Sequence, residues 1–141
     1  PHRTQYVDKI EDVVFFNDSK ATNILATEMA LGGFNHEQLI LLAGGLDRGN
    51  GFDELIPSLK GIKAIVLFGE TKYKLEDAAK KAGIPIIKLT ESVETAVPIA
   101  FELSKKGDTI LLSPANASWD QYPNFEVRGD RYMAAIAALK K

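Results

Sequence analysis

Apolar positions fall in short blocks along the chain, and their spacing alternates between the period of a strand and the period of a helix. Gln5–Ile10 and Val13–Asn17 read as two strands joined by the tight Glu11-Asp12 connection, the first at a sheet edge. Ile24, Thr27, Glu28 and Leu31 recur at helical spacing. Gly32-Gly33 then marks a stop, where a residue without Cβ can take the left-handed conformation that ends helices. Residues 39–43 form a fully apolar strand followed by Gly44-Gly45 and a polar loop to Asn50. Residues 52–59 suggest a short helix, and Ala64–Phe68 a strand ending at Gly69. Leu75, Ala78, Ala79 and Ala82 mark one face of a helix that Gly83 closes. Residues 84–89 give another short strand, with Pro85 tolerated near its start. Val93, Ala96, Val97, Ala100 and Leu103 continue the helical rhythm to Gly107. Pro98 inside that helix should remove one backbone bond and bend the axis. Thr109–Leu112 is the last strand, residues 113–125 are a long loop holding Pro114 and Pro123, and Tyr132, Ile136 and Leu139 stripe a final helix.

Strands alternating with helices imply right-handed crossovers and a sheet covered on both faces. The expected class is α/β and Rossmann-like: a mostly parallel sheet of about six strands with an antiparallel N-terminal edge. In such a fold the loops after the strands share one edge, so residues 17–23, 44–50, 69–72 and 113–125 should lie together. Those loops hold most of the chain's reactive side chains. Within the first, Asp18, Ser19, Lys20 and Thr22 are placed at a strand's end and a helix's start, where amides favour anions. Asp18 and Ser19 serving only to cap that helix is the plainer alternative.

The length of 141 residues suits one domain with a substantial core. Net charge is −2, with no basic block to follow a phosphate backbone, so no nucleic-acid partner is expected. No apolar run approaches the roughly 18 residues of a membrane helix, nothing resembles a signal peptide, and a cytoplasmic place of work is expected. No membrane partner is expected either. The chain has no cysteine and two distant histidines, so neither a disulfide nor a dedicated metal site is expected. It starts at Pro1 without an initiating Met, which suggests a fragment of something longer, a start that a processed or trimmed protein would share.

At the shared edge, Lys20 and Arg48 offer cations, Thr22 and Ser118 hydroxyls, and Gly44-Gly45 close backbone approach to a ligand. Such a set suits a small ligand bearing carboxylates or phosphates. There is no Gly-x-x-x-x-Gly-Lys-Ser/Thr, no Gly-x-Gly-x-x-Gly after the first strand and no Gly-x-Ser-x-Gly elbow. A free-standing P-loop enzyme, a dinucleotide oxidoreductase and a triad hydrolase are thereby disfavoured. By itself the domain reads as a binder.

Three segments, Asp18-Ser-Lys-Ala-Thr-Asn23, Ala43-Gly-Gly-Leu-Asp-Arg48 and Ser113-Pro-Ala-Asn-Ala-Ser-Trp-Asp-Gln-Tyr-Pro-Asn-Phe125, stand in this order with Arg128-Gly-Asp130 behind them. Together they resemble the C-terminal domain of a Mur ligase, over the whole chain, residues 1–141. The first segment alone would fit the wider family, which includes folylpolyglutamate synthases; the third narrows the likeness to the branch that adds D-glutamate. The resemblance implies an ATP-dependent ligase of peptidoglycan precursor synthesis, with Mg2+ at work in the whole enzyme. The free carboxylate of UDP-N-acetylmuramoyl-L-alanine is phosphorylated, and the amine of D-glutamate then attacks the acyl phosphate. It also implies that an N-terminal UDP-binding domain and a central P-loop domain lie outside this chain, which alone would hold no cofactor, would not turn over and would be monomeric.

Carried over by position, Thr22 and Arg48 match residues that bind the α-carboxylate of D-glutamate. Ser118, Trp119 and Phe125 match those around its side-chain carboxylate, Trp119 and Phe125 partly through backbone groups. Arg3 and Asp18 match positions that contact ATP, and Lys20 matches a catalytic lysine at the nucleotide and acyl-phosphate side. Arg48 stands where some members have Lys, and Asn116 where some have Cys. Another ligase of the family, joining a different amino acid, and a non-catalytic binding module are the alternatives. Read singly, Arg3 could be a loose chain end, Lys20 and Arg48 solvated charges, Ser118 a turn residue, and Trp119, Tyr122 and Phe125 core or lid packing.

Overall fold

A computed structural model describes residues 1–141. Six strands form one sheet: β1 (Gln5–Ile10), β2 (Val13–Asn17), β3 (Leu39–Gly44), β4 (Ala64–Phe68), β5 (Ile86–Leu89) and β6 (Thr109–Leu112). Their spatial order is β1-β2-β6-β3-β4-β5; only the β1–β2 hairpin is antiparallel. The helices are α1 (Ile24–Leu31), α2 (Ile56–Leu59), α3 (Lys72–Ala82), α4 (Val93–Leu103) and α5 (Phe125–Ala138), and short 3-10 turns cover His36–Gln38 and Asp53–Leu55.

The central strands are apolar on both sides because both sides are covered. Leu39, Leu41 and Ala43 of β3, Ile65 and Leu67 of β4 and Leu111 of β6 pack with Leu31 of α1, Leu59 of α2 and Leu75, Ala78 and Ala79 of α3. On the opposite face, Ile40, Leu42, Val66, Ile110 and Leu112 pack with Val93, Ala96, Val97 and Ala100 of α4 and Tyr132 and Ile136 of α5. The segment leaving β6 therefore crosses to one face while those leaving its neighbours β2 and β3 cross to the other. Such a reversal opens a crevice at the carboxyl ends of the strands.

Local chemistry departs from the pattern in four places. Gly32 follows α1 with φ −64°, so α1 ends without the expected left-handed glycine; Gly83, after α3, is left-handed at φ 82°. Strand β5 begins at Ile86 rather than Ile84, since Pro85 has no N–H for the ladder. Helix α4 runs unbroken through Pro98, whose missing donor lies on the exposed side while Val93, Ala96, Val97 and Ala100 hold the inner side. The buried stripe of α5 also extends one turn further toward its start than Tyr132, onto Arg128 and Gly129.

Candidate functional site

The first loop is built by hydrogen bonds to its neighbours. Asp18 is buried, with Oδ1 accepting from the Thr4 amide at 3.0 Å and Oδ2 from the Ser113 hydroxyl at 2.8 Å. Asn23, not Asp18, caps α1, its side chain accepting from the Ala26 amide. Asp18 through Thr22 thus precede the helix, and the alternative that Asp18 serves only as its cap does not hold. The Lys20 amide donates to the His2 carbonyl at 2.9 Å, so the chain start is tied to this loop rather than loose. His2 is itself buried and takes a bond from Asn17 Nδ2 at 2.9 Å. It fits there because residue 129 is glycine: a Cβ at Gly129 would lie 2.2 Å from His2 Nδ1.

The second and third loops are locked together. Gly44 donates to the Pro114 carbonyl, Leu46 to that of Ala117, and Thr71 to that of Gly45. Gly44 has φ 141°, and a Cβ there would sit 1.9 Å from the Phe68 carbonyl oxygen; at Gly45 it would sit 2.4 Å from that of Ala117. The two glycines therefore bring protein backbone against protein backbone, which by itself requires that neither position carry a Cβ. Ala115 holds a left-handed φ of 61°, a strained conformation for a residue with a Cβ.

Arg128 ties all this from behind. Its guanidinium is fully buried, donating to the Ser19 hydroxyl at 3.0 Å, the Ser19 carbonyl at 2.8 Å and the Asn116 carbonyl at 2.9 Å. Ser19 Oγ in turn donates to the Phe125 carbonyl at 2.6 Å. Burial lowers the Arg128 pKa to about 10, which still leaves the group charged at neutral pH. One side chain thus fixes the loops that carry Lys20, Thr22, Ser118 and Phe125.

All five residues expected around D-glutamate line a single hollow: Thr22, Arg48, Ser118, Trp119 and Phe125. The three expected near ATP, Arg3, Asp18 and Lys20, line a neighbouring hollow of about 420 Å³ together with the apolar Leu25, Ala26 and Met29. Thr22 and Arg48 also face a third recess with Asn50, Glu54 and Asn116. The loop at 69–72 reaches the same edge, where Asp120 accepts from the Glu70 amide, but lines a separate polar recess. Arg3, Lys20 and Arg48 enter no ion pair. The Ser118 hydroxyl is buried with no hydrogen-bond partner in the chain. Unpaired cations beside an unpartnered buried hydroxyl are what a site for an anionic ligand presents. Tyr122, by contrast, serves as packing: it is buried and its hydroxyl donates to Glu94 of α4.

Burial, opposed by the bonds from Ser113 and Thr4, raises the Asp18 pKa above the ordinary carboxylate value. The neutral acid is therefore the form the fold favours, and that stability is lost as pH rises through the Asp18 titration. Asp18→Asn is expected to melt at the same or a higher temperature than the parent at pH 7, with the gap closing on acidification toward about pH 4. Calorimetry across that pH range checks this; an Asn variant markedly less stable at pH 7 contradicts it.

The family profile described as Mur ligase, glutamate ligase domain, matches residues 2–116. The chain belongs to the Mur ligase family. This Mur ligase domain is 70% identical over 139 residues to the UDP-N-acetylmuramoylalanine–D-glutamate ligase of Enterococcus hirae, covering 99% of the chain and 30% of that protein. It is 68% identical over 141 residues to the ligase of the same name from Enterococcus faecalis, covering 100% of the chain and 31% of that protein. The chain thus spans about a third of the length of these relatives. Among solved structures, a UDP-N-acetylmuramate-alanine ligase from Thermotoga maritima superposes at TM-score 0.65 with 12% identity, over 98% of the chain and 30% of that protein. A Mur ligase from Thermotoga maritima in complex with ADP gives 0.59 and 18%, over 98% of the chain and 31% of that protein. At these identities the two superpositions establish the fold alone.

Proposed function

We propose that the chain is the amino-acid-receiving part of an ATP-dependent ligase that joins D-glutamate to UDP-N-acetylmuramoyl-L-alanine in peptidoglycan precursor synthesis. The observation that carries this reading is the hollow where Thr22, Arg48, Ser118, Trp119 and Phe125 meet, with Arg48 unpaired and Ser118 Oγ unpartnered. The names of the Enterococcus relatives support the choice of amino acid. A dicarboxylate suits the donors: Arg48 and Thr22 take its α-carboxylate, and Ser118 Oγ with backbone groups near Trp119 and Phe125 takes the other.

The neighbouring hollow fits ATP by its chemistry, since two unpaired cations, Arg3 and Lys20, stand beside Asp18. ATP supplies the phosphoryl group that activates the acceptor carboxylate. Lys20 then stabilises negative charge at the acyl-phosphate side while Thr22, Arg48 and Ser118 hold the attacking amine's carrier in place. No set of three His, Cys, Asp or Glu side chains of this chain is arranged to hold a metal; Mg2+, when bound in the whole enzyme, would offset the charge of the transferring phosphoryl group. UDP-binding and P-loop domains would make up the rest of a longer protein, a reading supported by the chain's matching only 30% of the Enterococcus hirae relative; that protein acts in the cytoplasm as a monomer, without nucleic acid or membrane. This chain alone binds weakly and does not turn over.

In the full-length ligase, Arg48→Ala and Thr22→Ala are expected to raise the KM for D-glutamate, the former roughly 10- to 100-fold as for a lost charged hydrogen bond, and to move the KM for ATP far less. Steady-state kinetics with each substrate varied decides it. Equal rises for both substrates, or a preference for L-lysine over D-glutamate, would count against the assignment.

A further inference from the structure

Arg48 and Trp119 come from two loops far apart in the chain and are both exposed, Trp119 by 62%. The Arg48 guanidinium carbon lies 4.8 Å from the centre of the Trp119 ring. Arg48 makes no ion pair, and its neighbour Asp47 is already engaged by Lys74 Nζ at 2.8 Å and the Gly49 amide at 2.8 Å. The cation therefore sits over the Trp119 ring, and none of its N–H donors is taken by a partner in the chain. Arg48 borders the hollow shared with Thr22 and the unpartnered Ser118 hydroxyl. An arginine on four rotatable bonds would otherwise have to be ordered when its ligand arrives. A flat cation matches a flat aromatic face, whereas a lysine at position 48 would gain less from the platform.

We propose that the Trp119 ring is a positioning residue: it stacks on Arg48 and presets the guanidinium for a carboxylate of the incoming amino acid, so that positions 48 and 119 act as one unit. This rests on the D-glutamate reading of the hollow and adds a role for the Trp119 side chain beyond its backbone.

In the full-length ligase, Trp119→Leu is expected to raise the KM for D-glutamate about two- to fivefold, the ratio that an exposed cation–π contact corresponds to. The KM for ATP and the melting temperature should not move, and Trp119→Tyr, which keeps a π face, should recover most of the loss. In an Arg48→Ala background, Trp119→Leu should add nothing further. The same penalty with and without Arg48 overturns the proposal. So does a Trp119→Leu enzyme with unchanged KM for D-glutamate when Arg48→Ala raises it strongly. An Arg48→Ala enzyme with unchanged KM for D-glutamate overturns instead the reading of the hollow on which the proposal rests.

Discussion

Replacing Arg128 by Met is expected to lower the melting temperature of the protein by about 10 °C and to cut its activity, although residue 128 faces neither hollow. Met fills much of the space of the arginine stem, so the change isolates the loss of the guanidinium. Burial of that charge, with its pKa lowered to about 10, corresponds to about 3 kcal/mol of cost. Against it stand three bonds from a charged donor, to Ser19 Oγ, Ser19 O and Asn116 O, at roughly 1.5–3 kcal/mol each. The bonds win by about 3 kcal/mol, which in a domain of this size is on the order of 10 °C. Because the freed carbonyls belong to the loops that carry Lys20 and Ser118, the KM values for amino acid and nucleotide should rise together. Calorimetry and kinetics on the same variant check both halves. A Met variant as stable and as active as the parent would remove Arg128 from the account.

Lys20→Ala should do the reverse: little change in stability and a fall in kcat of about 100- to 1,000-fold, the range for losing one donor to transition-state charge. Lys20 is exposed and in no ion pair, so nothing in the fold depends on its ammonium. Its backbone is fixed by the bond to His2 O and by the Asp18–Ala21 turn closed at 2.9 Å. Lys20→Arg should rescue only in part, since a planar fork does not place its charge where a point charge stood. An alanine variant that loses its fold, or one that keeps its kcat, would contradict the role.

These two residues also mark how far the sequence can be read. Lys20 was legible because a polar run after an apolar strand must emerge at the carboxyl edge of a parallel sheet. That rule also brought Arg48 and Ser118 to the same edge from separate segments. Arg128 entered the sequence reading only as part of the Arg128-Gly-Asp130 segment, with no role given to its side chain, yet the Tyr132–Ile136 stripe extended back by one turn falls on it. Gly44 and Gly45 were legible as positions needing no Cβ, but only the fold shows that Phe68 and Ala117 are what they approach. The left-handed end expected at Gly32 failed because the chain continues in a right-handed turn there, with the Gly32 amide still bonded to Glu28 O. The Arg48–Trp119 stack could not be read at all, since it depends on the height of two loops above the sheet and on no local pattern.

A structure of the full-length ligase with D-glutamate bound tests most directly whether the hollow at the β2, β3 and β6 ends is the amino-acid site. One carboxylate should lie within hydrogen-bond distance of the Arg48 guanidinium and Thr22 Oγ1, and the other on Ser118 Oγ. D-glutamate bound elsewhere, with the Ser118 hydroxyl still unpartnered and Arg48 still facing only Trp119, would contradict it.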